Sequence, residues 1–243
     1  MKNTKRVLAM FIALVIAVMS TTSVNAATSS YVGKAYMFTY DSSTLPDYFN
    51  NEVYDMRADA TQSLPWLWNM NYDAGEYLNN SVQPLRDAMP NATILTVSTH
   101  GAPGLIVCPD PHSAYAPRYT YLTANMYSND GSIVALSTCN LSNNKLTIFA
   151  SCNSASTHSD YGNLLVAADY AGADCALGWD VSISNDLAPD WMEYFFQACY
   201  FNHATVEEAA ATATQRLRNE NPNNAGVDTL AEYVYTNRYT TIY

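Results

Sequence analysis

Two stretches decide how this chain folds: Ile94-Leu95-Thr96-Val97-Ser98-Thr99-His100-Gly101 and Leu146-Thr147-Ile148-Phe149-Ala150-Ser151-Cys152-Asn153. Each is a short, largely apolar run that ends in a reactive side chain beside small residues. Such runs read as strands buried on both faces, as in parallel sheets. In open α/β sheets, ligands bind outside the carboxyl ends of the strands. A histidine and a cysteine at two such ends can meet, although 52 positions separate them. A cysteine nucleophile needs that pairing. The imidazole assists the thiol or protonates the leaving amine, and the thiolate attacks a carbonyl. Gly101 lets the backbone approach closely, so its N–H is suited to holding an oxyanion.

Working outward, Ala35 to Tyr40 predicts a first strand and Val53 to Gln62 a helix. Glu76 to Ala88 predicts a further helix, with Pro84 kinking it or delaying its start. Tyr119 to Tyr127 and Ser132 to Leu136 flank Asn129-Asp130-Gly131, a hairpin signal. Tyr161, Leu164, Leu165 and Ala168 recur at helical spacing before a stop at Gly172, and Asp174 to Trp179 predicts a short strand. Pro189 opens a helix with Trp191, Phe195 and Cys199 on one stripe. Thr205-Val206-Glu207-Glu208 is a capping box for an Ala-rich helix to about Arg218, and Val234 to Tyr243 alternates like a final strand. Strands alternating with helices predict a three-layer α/β/α sandwich with a mostly parallel central sheet. No internal repeat or linker breaks the chain, so residues 27–243 are expected to form a single domain.

The amino terminus has the three parts of a secretory signal peptide: cations at Lys2, Lys5 and Arg6, an apolar run from Val7 to Met19, and Val24-Asn25-Ala26 as a cleavage pattern. The apolar run falls short of the ~20 residues that span a bilayer. Residues 1–26 are therefore expected to be removed, leaving a secreted chain (extracellular or periplasmic) with no membrane contact. The full chain has 22 acidic and 11 basic residues, a formal charge of -11. Cleavage would remove three cations, leaving 8 basic against 22 acidic residues and a charge of -14. The Lys/Arg footprint of a nucleic-acid binder is missing. A composition of 49% hydrophobic and 12% aromatic residues excludes disorder. Five cysteines leave at least one thiol unpaired, and the other four can pair in three ways. No spacing suggests zinc or a calcium loop, so no metal or cofactor is expected.

The order of these pieces resembles that of the caspase-like (clan CD) cysteine peptidases, most of all their bacterial CHAT-type branch. The matching segments are Ser98 to Gly101, Asp130 to Val134, Leu146 to Ser154, Ala171 to Trp179, Trp191 to Phe201, and Val206-Glu207-Glu208-Ala209. They span roughly residues 93 to 216. The resemblance implies a His100–Cys152 dyad, the backbone N–H groups of Gly101 and Cys152 as oxyanion donors, and a P1 pocket formed by the segment after the Trp179 strand. Trp179 and Asp180 are the substrate-binding residues it suggests, and an acidic Asp180 would favour a basic P1 side chain. The expected activity is that of a secreted cysteine endopeptidase acting on protein or peptide substrates. The alternative is an exported binding module that keeps the fold without catalysis.

Other cysteines and histidines fit less well. Gln197-Ala198-Cys199 copies part of the caspase cysteine motif but lies on a helical stripe, where a core or disulfide cysteine is expected. Leu136-Ser137-Thr138-Cys139 resembles the sortase motif, yet the strand after it has no arginine. Papain-like chemistry needs cysteine before histidine, and Cys152 to His203 is too short for that family. His112 and His158 fall in polar loops, and His203 ends a helix, where the dipole favours a cation.

Overall fold

Ile94–Ser98 (β3) and Leu146–Ala150 (β8) are fully buried along their length and pair in parallel at the centre of a six-stranded sheet. The computed structural model describes residues 30–41, 55–110 and 118–243, and from Tyr31 onward they form one compact unit. The expected signal peptide, the start of the helix expected at Val53, and His112 lie outside the described residues.

The central sheet also contains Gly33–Thr39 (β1), Tyr72–Leu78 (β2), Ala176–Trp179 (β9) and Tyr233–Tyr235 (β10), in the order β10-β9-β8-β3-β1-β2. All pairings are parallel except β10 with β9. One face packs against Arg57–Asn69 (α1), Ala188–Asn202 (α4), Val206–Glu220 (α5) and Ala225–Ala231 (α6). The other is covered by Val82–Ala88 (α2), Leu164–Tyr170 (α3) and a second, four-stranded sheet. This is the mixed α/β architecture with a mostly parallel sheet that the sequence predicts.

Local chemistry explains the helices that flank the site. In α3, Asn163 Oδ1 accepts from the Leu165 and Val166 N–H groups at 2.9 and 3.1 Å, and the chain leaves the helix through Gly172 at φ +105°. In α4, Pro189 sits in the first turn and the Trp191, Phe195 and Cys199 stripe is buried. Trp191 stacks on Phe195 with 5.4 Å between ring centroids. In α5 both halves of the capping box form: the Thr205 hydroxyl accepts from the Glu208 N–H, and Glu208 accepts from the Thr205 N–H at 2.9 Å.

Three expectations change. Glu76 to Leu78 belong to strand β2, and the helix expected from Glu76 starts only at Val82, with Pro84 in its first turn. Arg118–Thr123 (β6) and Ile133–Ala135 (β7) pair in parallel, so they are not a hairpin. Asp130 does make a turn, accepting from the Ser132 N–H at 3.0 Å, but the chain has already doubled back near Thr123, whose Oγ1 accepts from the Met126 N–H at 2.9 Å. The last strand is only three residues long because the ladder is half-made at Thr236: its N–H still donates to the Ala176 carbonyl at 3.0 Å, but its Oγ1 accepts from the Ala176 N–H at 2.9 Å. Among the described residues, no helix is long and apolar enough to cross a membrane.

Candidate active site

Register decides what meets at the carboxyl edge of the sheet. Ser98 of β3 lies opposite Ala150 of β8, so His100 and Cys152 each emerge two residues beyond the same rung. Neighbouring strands are ~4.8 Å apart, so two such positions share one edge of the sheet. Both line a cleft of about 380 Å³ together with Gly101, Ala102, Asn153, Ser182, Ile183 and Asn185.

The second sheet holds the histidine side. Gly101–Ala102 (β4) pairs antiparallel with Leu105–Asp110 (β5). The Val107 N–H donates to the His100 carbonyl at 2.9 Å, and Thr99 Oγ1 donates to the Val107 carbonyl at 2.6 Å. His100 is 7% exposed, and burial lowers its pKa. Burial thus favours the uncharged imidazole.

The cysteine side is a tight loop stitched to the strand beside it. Ser154 Oγ donates to the Phe149 carbonyl at 2.8 Å and accepts from the Trp179 N–H at 3.1 Å. The Ala155 N–H donates to the Trp179 carbonyl at 2.8 Å, and the Asn153 N–H to the Val181 carbonyl at 2.9 Å. Asn153 adopts φ 55°, in the left-handed region that asparagine tolerates better than most residues. These bonds draw the segment after β9 toward the cleft, where Ser182, Ile183 and Asn185 form one wall.

Gly101 closes the contact between the two loops. A Cβ there would sit 2.6 Å from the Cys152 carbonyl oxygen and 2.7 Å from Ser151 Cβ. Only glycine lets the His100 and Cys152 loops approach this closely without displacing backbone.

The structure thus brings His100, Gly101 and Cys152 to one cleft. Trp179 and Asp180 are not among its lining residues. Trp179 is buried, its Nε1 donating to the Leu230 carbonyl at 3.1 Å and its ring meeting Trp191 edge-on at 5.2 Å. Asp180 is exposed, and its backbone carbonyl accepts from Ser156 Oγ at 3.1 Å. Cys139 and His158 do not line the cleft either. Burial raises the Cys139 thiol pKa, with Arg86 offsetting part of the effect. His158 Nδ1 accepts from the Asp160 N–H at 3.0 Å within its own turn. His203 caps α4 in the left-handed conformation, against the Tyr243 ring. All five cysteines are free thiols, and Cys108, Cys175 and Cys199 are buried.

Asp59 on α1 is a buried carboxyl that faces Ser98 just behind the His100 end of β3. Ser98 Oγ lies near it and mildly favours its ionised form without making a full hydrogen bond. Burial dominates and raises the carboxyl pKa from 3.8 to about 7. Nothing in the sequence marks it, because an aspartate in the first turn of a helix is ordinarily a solvated partner of the dipole.

No family model matches the chain, and no curated protein sequence does. Solved structures do share its fold. The Arg-specific cysteine proteinase gingipain R superposes with a TM-score of 0.60 at 11% identity, over 88% of this chain and 48% of that one. The complex of Porphyromonas gingivalis RgpB pro- and mature domains gives 0.56 at 12% identity, over 87% of this chain and 48% of that one. The Saccharomyces cerevisiae separase–securin complex gives 0.51 at 11% identity, over 87% of this chain and 12% of that one. The chain spans about half the length of the gingipain chains it matches. At these identities the likeness is one of fold alone: gingipain R and separase share the mixed α/β architecture of this chain.

Proposed function

We propose that the protein is an exported cysteine endopeptidase with Cys152 as nucleophile and His100 as acid–base partner. One observation carries this reading: the two residues emerge from the same rung of adjacent parallel strands into one cleft, with Gly101 pressed against the Cys152 backbone. His100 takes the thiol proton, and Cys152 Sγ attacks the scissile carbonyl carbon. The N–H groups of Gly101 and Cys152 hold the resulting oxyanion. As the tetrahedral intermediate collapses, the C–N bond breaks and the amine leaves with the proton from His100. Water then attacks the thioester, His100 takes its proton, and the acid product leaves as the thiol is restored. No metal or cofactor enters any step.

Export rests on the signal-like segment at residues 1–26, and kinship with the CHAT-type branch rests on the motifs from Ser98 to Ala209. A basic P1 preference was expected from Asp180 and from the acidic field of the chain. Asp180 does not line the cleft, which leaves only the field to favour cationic substrates.

Incubating the mature protein with peptide amides and a thiol-directed probe tests the reading. Turnover that disappears in Cys152→Ala, with labelling at Cys152, is the expected result. Activity persisting in that variant would move the nucleophile to Cys139. Neither turnover nor labelling would leave a non-catalytic binding module.

A further inference from the structure

Among the described residues, the cleft around His100 and Cys152 is lined by no Asp, Glu, Lys or Arg. Beyond the dyad and Gly101, its lining is Ala102, Asn153, Ser182, Ile183 and Asn185. From this we infer that the enzyme cleaves after an uncharged P1 residue, polar or small aliphatic, and not after Arg, Lys or Asp. The inference rests on the peptidase reading above and names the substrate class of that site.

The P1 side chain leaves water when it enters the cleft. A buried ammonium, guanidinium or carboxylate without an opposite charge keeps its full desolvation penalty. An arginine side chain asks for a carboxylate that it can grip with two parallel hydrogen bonds, and an aspartate side chain asks for a cation. Among the described residues, the lining offers neither. Asp180 and Asp186 flank the wall formed by Ser182, Ile183 and Asn185, but both are exposed and stay outside the lining. What the wall does offer is neutral. Asn153 and Asn185 each carry donor and acceptor atoms, the Ser182 hydroxyl acts as either, and Ile183 is a buried apolar surface. Such groups match an amide, a hydroxyl or a methyl. The volume of about 380 Å³ lies near the small end of the ~300–1,000 Å³ usual for ligand clefts, so it suits one modest side chain with its flanking backbone.

The acidic excess acts elsewhere. With 22 acidic and 11 basic residues, the protein attracts cationic peptides at long range, and that attraction weakens with salt. Basic residues flanking the scissile bond therefore aid encounter, while P1 itself stays neutral.

The test is a set of peptides and matched peptidyl acyloxymethyl ketone probes that differ only at P1, carrying Ala, Asn, Gln, Arg, Lys or Asp. Neutral P1 residues are expected to exceed the charged ones roughly 100-fold in kcat/KM, and Cys152 labelling should follow the same order. Asn185→Asp should raise the Arg-P1 rate relative to the Gln-P1 rate, and Ser182→Asp does the same job if the first variant fails to fold. Arg, Lys or Asp at P1 equalling or exceeding the neutral residues would overturn the inference while leaving the dyad intact. If no probe, including iodoacetamide, labels Cys152, the peptidase reading fails and takes this inference with it.

Discussion

Replacing Asp59 with Asn removes a carboxyl that is 2% exposed, at nearly constant shape. Two effects compete at this position. The first turn of α1 favours an anion by roughly 0.3–1 kcal/mol through the helix dipole. Burial opposes it and wins, raising the pKa from 3.8 to about 7. The nearby cation does not compensate, since Arg57 turns to Glu76 at 3.8 Å. At roughly 1.4 kcal/mol per pH unit, this displacement corresponds to about 4 kcal/mol, a ceiling because water entry or relaxation would lower it. The sign follows from proton binding. Between the unfolded and folded pKa values the folded chain holds a proton that the unfolded chain has lost. The wild type therefore has the full contribution below 3.8 and loses it as pH rises to about 7, above which the curve flattens. Urea denaturation of both proteins from about pH 4 to about pH 8 reads the difference. Asp59→Asn should gain stability relative to wild type by up to about 4 kcal/mol across that range. Parallel curves for the two proteins would refute the claim that Asp59 is a buried acid kept neutral by its surroundings.

Other outcomes are as specific. Gly101→Ala places a methyl group 2.6 Å from the Cys152 carbonyl, so kcat/KM should fall roughly 100-fold with a smaller loss of stability; unchanged kinetics would show that the loops can part freely. Ser154→Ala loses the bond to the Phe149 carbonyl and leaves the Trp179 N–H without its partner, which should cost about 2 kcal/mol in chemical denaturation. Mass spectrometry after mild alkylation should find Cys139 and Cys152 modified in the native protein. Cys108, Cys175 and Cys199 should react only after unfolding, since all three are shut away from solvent while Cys139 and Cys152 are only partly covered. Modification of a third thiol in the native state would contradict that burial.

The parts of the fold that were legible are those where one local signal decides the outcome. β3 and β8 are continuous apolar runs that belong in the middle of a parallel sheet, and the Thr205 box and Pro189 fix the starts of their helices. β2 was missed because Tyr72–Leu78 is an edge strand with Asp73, Gly75 and Glu76 in it, a composition that resembles loop or helix more than strand. The parallel pairing of β6 with β7 escaped because a turn signal gives the position of a bend but not the direction in which the returning strand pairs. The site divides along the same line. His100, Gly101 and Cys152 stood out as reactive or small residues at strand ends. The wall of Ser182, Ile183 and Asn185 did not, because ordinary loop residues become lining only once the Cys152 loop is bonded to Trp179 and Val181.

The cysteine count also takes on a different meaning. An odd number, were the chain exported, points to as many as four structural partners and one reactive thiol. The five are instead all unpaired, and three of them fill the interior as small apolar groups: Cys108 in the cluster under the second sheet, Cys175 and Cys199 in the cluster against α4. A chain of this length buries enough apolar surface to stand without cross-links, and its largest fully buried side chains, Trp179 and Trp191, meet edge-on between β9 and α4. That contact also matters to the site. β9 anchors the Cys152 loop through Ser154 and Ala155, so packing on Trp179 holds the loop from below. Trp179 supports the cleft without lining it. Its role is therefore one of positioning, and Trp179→Phe, which keeps an aromatic ring but loses part of the buried bulk and the bond to the Leu230 carbonyl, should lower stability by about 2–3 kcal/mol while leaving the order of P1 preference unchanged. A changed P1 order in that variant would show that the indole reaches the substrate after all.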